Sequence, residues 1–139
     1  MIRKRSCLWS KKWFPPISRN DWERMITGIH HFAIIASSEK SVEFYTRLGF
    51  KETFRKVRNY DTVVLLTGHG IGLEIFIDPN HPARAVDPEN LGLRHLAFKV
   101  DNVDEMSKQF DCGKVMSDWK GRKFCFTADP DGLPVEFHE

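Results

Sequence analysis

The second half of this sequence repeats the first. His31-Phe32-Ala33-Ile34 returns as His95-Leu96-Ala97-Phe98, 64 residues later, and Leu73-Glu74-Ile75 returns as Val135-Glu136-Phe137, 62 residues later. Two matches in the same order at nearly the same offset indicate a duplicated unit. Such a unit buries its apolar face only against its neighbour, so the chain has to fold as a pair of similar modules.

Each unit alternates strand-like and helix-like stretches. In the first, Ile29 to Ala36 is rich in β-formers, and Ser37 or Ser38 is placed to cap a helix carrying Val42, Phe44, Tyr45 and Leu48. Gly49 ends that helix. Phe50 to Val57, Thr62 to Leu66 and Leu73 to Ile77 then read as three strands, with turns at Asn59-Tyr60-Asp61 and Gly68-His69-Gly70. In the second unit, Gly92 to Val100 reads as a strand, and Asn102 caps a helix with Val103, Met106 and Phe110. Lys114 to Trp119, Lys123 to Thr127 and Pro134 to Phe137 follow as short strands. Asp129-Pro130-Asp131-Gly132 is a type I turn signal, with proline setting φ at its second position. The expected fold is α+β: two βαβββ repeats, residues 27–78 and 91–139, joined by the proline-bearing linker 79–90.

The repeat duplicates chemistry as well as strands. Each unit carries one histidine on its first strand and one glutamate on its last, 43 residues apart for His31 and Glu74 and 41 for His95 and Glu136. Side chains alternate faces along a strand. His31 is out of phase with Phe32 and Ile34, His95 with Leu96 and Phe98, and Glu74 with Leu73, Ile75 and Ile77. The apolar residues can therefore pack on the helices while His31, Glu74, His95 and Glu136 face the other way. An unpaired carboxylate within Gly72-Leu73-Glu74-Ile75-Phe76-Ile77 is costly to bury, and a divalent cation removes that cost. Imidazole and carboxylate both ligate such ions, so these four residues are the candidate metal set.

The other candidates are weaker. His30 has the opposite parity to His31, His69 lies in a turn and His81 in the linker. His138 shares parity with Glu136 but is penultimate and reads as exposed, and Cys125 reads as core. Phe76 in phase with Glu74, and Ala33 and Ile35 in phase with His31, would give a pocket an apolar wall. Arg122 and Lys123 read as a solvated turn, with contact to an anionic substrate as the alternative.

The formal charge of +2 is unevenly distributed. Residues 1–26 are basic and tryptophan-rich, with a net charge of +5 and Trp9, Trp13 and Trp22, whereas residues 27–139 carry −3. Lys11 and Lys12 interrupt the apolar stretch, and no small-residue cleavage site follows, so this is not a signal-peptide pattern. The segment reads as an N-terminal extension to a single domain at 27–139, with Met25 an alternative start and residues 1–24 then not native. No apolar run approaches the ~20 residues a membrane span needs. Cys7, Cys112 and Cys125 have no paired spacing, which argues against a disulfide framework and for a cytoplasmic protein.

At Ile29-His30-His31-Phe32-Ala33-Ile34, Phe44 to Phe50, Leu73-Glu74-Ile75-Phe76, Leu93 to Phe98 and Asp129 to Glu136, the chain resembles the vicinal oxygen chelate superfamily. That group includes glyoxalase I, bleomycin-resistance proteins and extradiol dioxygenases. The resemblance covers roughly residues 27–139 and implies a curved mixed sheet cupping a metal site. A His-Glu-His-Glu set resembles bacterial glyoxalase I. Extradiol dioxygenases resemble a two-histidine, one-carboxylate site in which the position of Glu74 is not a ligand. Drug-binding members often lack the ligands. Two departures from the glyoxalase I pattern bear on glutathione: Ile35 stands where an arginine follows the first ligand, and the stretch from Asn102 to Lys123 is short.

The resemblance implies a metal-dependent lyase or isomerase of lactoylglutathione lyase type. It would move a proton through a metal-stabilised enediolate on a small α-oxo or α-hydroxycarbonyl substrate, free or as a thiol adduct. Glu136 is the expected base, with Glu74 the symmetry-related second candidate. Nickel or zinc is the expected ion, and cobalt, manganese and iron also suit the donors. Small-molecule binding or resistance is the alternative function, and ring cleavage the third. A homodimer is implied, with the site either within one chain or shared between two. Neither a nucleic-acid nor a membrane partner is expected.

Overall fold

The computed structural model describes residues 25–139. The readings made above for the basic head lie outside the described residues. Ten elements follow one another: β1 (His31–Ala36), α1 (Lys40–Arg47), β2 (Lys51–Val57), β3 (Thr62–Gly68), β4 (Ile71–Ile77), β5 (Leu96–Lys99), α2 (Val103–Gln109), β6 (Met116–Ser117), β7 (Lys123–Ala128) and β8 (Pro134–His138). This is the βαβββ unit twice. Each unit forms its own four-stranded mixed sheet, in the order β1-β4-β3-β2 and β5-β8-β7-β6. In both, the first strand runs parallel to the last: β1 pairs with β4, and β5 with β8.

Several boundaries move from where the residues suggest. His95 lies just before β5 rather than within it, and the strand read over Lys114 to Trp119 is only Met116–Ser117. Asn102 caps α2 as expected, accepting the Glu105 backbone N–H at 3.0 Å. At α1 the N-cap is Glu39, with no side-chain cap. Ser37, one of the two serines proposed for that role, donates from its backbone N–H and its hydroxyl to Asp131 in the other unit. Ser38, the other, accepts the Lys40 backbone N–H on its hydroxyl at 3.4 Å, so only Ser37 has exchanged the local role for a tertiary acceptor.

The alternation works as the parity argument requires. Ile34, Ala36, Leu73 and Ile75 of the first sheet and Leu96, Val135 and Phe137 of the second are buried. They belong to one core that also takes in Val42, Phe44 and Tyr45 of α1, Val103 of α2 and Phe110 just beyond it. Phe44 meets Phe110 edge-on at 6.0 Å, and Phe110 meets Phe137 at 5.4 Å. The Arg47 guanidinium lies 4.7 Å over the Phe110 ring and donates to the Gln109 carbonyl. The helices and the apolar sheet faces of both units thus share one interior, and the opposite sheet faces point outward. Among the described residues no helix is long and apolar enough to cross a membrane.

A polar network fastens the units together. Asp129 is buried and accepts the Tyr45 hydroxyl at 3.0 Å, along with the Asp131 and Leu133 backbone N–H groups at 2.9 Å. Asp131 also accepts the Ser41 hydroxyl at 3.2 Å. The expected turn is present, closed by Gly132 N–H donating to the Asp129 carbonyl, with Gly132 at φ +86°. Its two aspartates carry the contact to α1.

Candidate functional site

β1 and β4 run side by side in register, with Ala33 opposite Glu74 and His31 opposite Gly72. That register brings His31 Nε2 to 3.4 Å from Glu74 Oε2. Gly72 permits the approach: a Cβ there would stand 3.0 Å from the His30 carbonyl oxygen and 3.2 Å from His31 Cβ. In the second unit, β5 and β8 pair Ala97 with Glu136, and His95 Nε2 lies 2.9 Å from Glu136 Oε2. Phe126, opposite Glu136 on β7, meets the His95 ring edge-on at 5.3 Å. Two repeat-related imidazole–carboxylate pairs therefore sit on the outward faces of the two sheets. The side chains are partly exposed, from 13% for Glu136 to 37% for His31.

The structure joins the four residues as two pairs and not as one cluster. Among the described residues no group of three or more histidine, cysteine or acidic side chains stands close enough to hold a metal ion. The chain's own core explains this, because it packs the inner faces of both sheets towards one another and leaves each pair facing away. Beside the first pair lies a cavity of about 380 Å³, bordered by His30, Thr53, Leu65, Thr67 and Ile71 as well as the pair itself. The donor types suit a divalent ion: each pair sets an imidazole nitrogen within 3.4 Å of a carboxylate oxygen.

The remaining candidates resolve individually. His69 brings Nε2 to 2.6 Å from the Leu48 carbonyl and packs edge-on against Phe50 and Phe98, which makes it part of the joint between the units. His81 faces Asp78 at 3.2 Å. His138 is half-buried rather than exposed. It stacks on Phe124 at 5.7 Å and turns Nε2 to Asp118 Oδ2 at 3.4 Å, on the face that carries Glu136. Arg122 also pairs with Asp118, at 3.0 Å, and Lys123 pairs with Asp104 at 2.5 Å. Asp118, whose side chain is 6% exposed, had no signal in the repeat pattern. Cys125 is fully buried core. Burial, and then a hydrogen bond with Cys125, push the Cys112 thiol up to about 12, which leaves no thiolate for nucleophilic chemistry. Ile35 stands 55% exposed on the His31 face, and Phe76 lies beneath the Arg58 guanidinium at 5.6 Å.

Comparison with known proteins agrees with this architecture. The uncharacterised protein YwkD of Bacillus subtilis (strain 168) is 39% identical over 127 residues, covering 83% of this chain and 98% of its own. The crystal structure of a glyoxalase family protein from Enterococcus faecalis superposes with a TM-score of 0.76 at 39% identity, over 83% of this chain and 99% of that one. A lactoylglutathione lyase from Agrobacterium tumefaciens shares the fold, with a TM-score of 0.61 at 22% identity over 82% of this chain and 94% of that one. The family model described as Glyoxalase/Bleomycin resistance protein/Dioxygenase superfamily matches residues 28–137, which spans both repeats and both His–Glu pairs. A duplicated βαβββ unit with such a match over nearly all the described residues makes this chain a member of the glyoxalase/bleomycin resistance protein/dioxygenase superfamily.

Proposed function

We propose that this chain is a metal-dependent lyase or isomerase of glyoxalase I type, acting on a small α-oxo or α-hydroxycarbonyl compound. The observation that carries the reading is the pair of repeat-related contacts His31–Glu74 and His95–Glu136 on outward sheet faces. Superfamily members commonly bind divalent metals, and a resident cation accounts for four such donors in two symmetric positions. The cation, nickel or zinc in this reading, would polarise the substrate carbonyl and stabilise the negative charge that develops on it. His31 and His95 hold their places as neutral donors. Glu136 takes the proton next to the carbonyl, and Glu74 is the symmetry-related second base.

The half-sites face away from each other, so the complete site belongs to a homodimer in which His31 and Glu74 of one protomer meet the second-unit pair of its partner. Among the described residues β1 and β5 are each the end strand of their sheet, with one edge unpaired by other strands. Ile29, Ile35, Leu91 and Leu93 are exposed on or near these strands. Exposed apolar side chains beside open strand edges suit a second copy of the chain. The reduced cysteines fit a cytoplasmic setting.

Mixed dimers test the reading. A variant lacking the first pair (His31→Ala with Glu74→Ala) and one lacking the second (His95→Ala with Glu136→Ala) are each expected to bind no zinc. Mixed and re-equilibrated, they regain one complete site per heterodimer. If mixing restores no binding, shared sites are ruled out. If the wild type takes up no divalent ion, the metal reading fails.

A second reading is the binding and sequestration of a small apolar ligand. The exposed Ile35 and the leucine-lined cavity favour it. Ligand binding that is indifferent to a chelator would support it over catalysis. A ring-cleaving dioxygenase is less well supported, because Glu74 stands beside His31 as a donor.

A further inference from the structure

The parity that removes His30 from the ligand set does not remove it from the site. His30 immediately precedes β1, and its ring stands edge-on to that of His31, with centroids 5.0 Å apart and planes at 80°. Nδ1 of one ring lies 2.7 Å from Nδ1 of the other. The two nitrogens of His31 therefore face different partners: Nδ1 meets His30, and Nε2 meets Glu74 at 3.4 Å. In this arrangement Nδ1 of His30 is engaged by the His31 ring and not by Glu74.

A neutral imidazole carries one proton, on one nitrogen or the other. When Nε2 of His31 gives its lone pair to a cation, that proton is on Nδ1, and His30 Nδ1 stands ready to accept it. The backbone fixes the two rings at this joint. Gly72 N–H donates to the His30 carbonyl at 3.2 Å, and Gly72 has no Cβ to push the segment outward.

Among the described residues the second unit shows no equivalent histidine–histidine contact. The residue before His95 is Arg94, and its guanidinium turns to Glu89, at 2.9 Å from Nε to Oε2. His95 is braced instead by the Phe126 ring. The two histidine donors are thus held by different means.

Resting on the metal reading above, we infer that His30 is a positioning residue, which holds His31 through its Nδ1 proton so that Nε2 is the nitrogen offered to the cation. Partners of this kind orient ligating histidines and raise their basicity, and losing one typically costs about 10–100-fold in metal affinity.

Chelator competition with zinc on the full chain tests the inference. His30→Ala is expected to weaken zinc binding about 10–100-fold. His30→Asn should recover most of it, since an amide oxygen also accepts from Nδ1–H. Arg94→Ala, the repeat-related control, should leave affinity unchanged. In the zinc-loaded protein the His31 Nδ1 proton should resist exchange with solvent in NMR spectra, lose that protection in His30→Ala and regain it in His30→Asn. Unaltered affinity in His30→Ala overturns the inference, as does equal weakening in the Ala and Asn variants, which would mean only backbone support. A wild type that binds no zinc is a distinct result and overturns the metal reading itself.

Discussion

Tyr45 shows how much one residue can do between the two units. Its ring is fully buried beside Phe44 and Phe50, and its hydroxyl crosses to Asp129. Burial, and then the charge of Asp129, hold the phenol well above its usual range, so it stays a donor. Tyr45→Phe should cost about 1–3 kcal/mol of stability, read from urea unfolding, because the lost bond is made to a charged acceptor in the interior. Asp131 is sensitive to pH. Burial works to raise its pKa, but the hydroxyl and backbone N–H of Ser37 and the hydroxyl of Ser41 outweigh it and leave the carboxyl below its ordinary value. A carboxyl depressed in the folded state stabilises above its unfolded pKa, and that contribution is lost as pH falls through the folded value. Asp131→Asn should therefore show a shallower loss of stability below about pH 4 than the wild type, in urea midpoints measured against pH. Asp129 acts in the opposite sense: burial raises it, so its contribution is present at low pH and fades as pH rises through the folded value. At the site, Glu136→Gln should lower turnover by at least about 100-fold, the usual minimum worth of a positioned base, measured by substrate conversion at saturating metal.

Among the elements, β4 is the one on which the first His–Glu pair depends. It is central in its sheet, with β1 on one side and β3 on the other. Leu73 and Ile75 fill the core while Glu74 and Phe76 face out. Its second residue, Gly72, leaves no room for a Cβ, which would stand 3.2 Å from His31 Cβ. Gly72→Ala should cost about 1–3 kcal/mol, the range for overpacking, and should weaken zinc binding through displacement of the β1 start; urea unfolding and chelator competition read the two effects separately. β2 is an edge strand exposed along its whole length. Arg55 ties it down by bonding both Glu52 and Glu39, and its charges discourage strand-to-strand pairing with other chains.

For the whole molecule, the interior is common to both units, whereas each His–Glu pair belongs to one unit; in the proposed reading the pairs are half-sites. A homodimer that completes them should be disrupted by charge on the apolar surface beside the open edges. Ile35→Glu combined with Leu91→Glu is expected to shift the protein from dimer to monomer in sedimentation, and zinc affinity should fall with it, since both half-sites would be orphaned. Dimeric protein with unchanged affinity would move the interface elsewhere.

The duplication, the strand and helix order, the inward and outward faces and the four His and Glu positions were all legible in the residues. Each depends on local periodicity or on the offset between repeats, which a linear reading preserves. The contacts of Ser37, His30 and Asp118 were not legible. Ser37 exchanged a nearby cap for an aspartate 94 residues away. His30 left strand geometry one residue before β1, where parity no longer says which way a ring points. Asp118 met His138 only once β6 and β7 had folded back on one another. Sequence alone determined which residues form each His–Glu pair, because strand alternation and the repeat are properties of the chain in order. Only the tertiary structure decided that the two pairs lie apart, because that depends on which sheet faces share the core. Burying Leu73, Ile75, Val135 and Phe137 in one interior turns both half-sites outward.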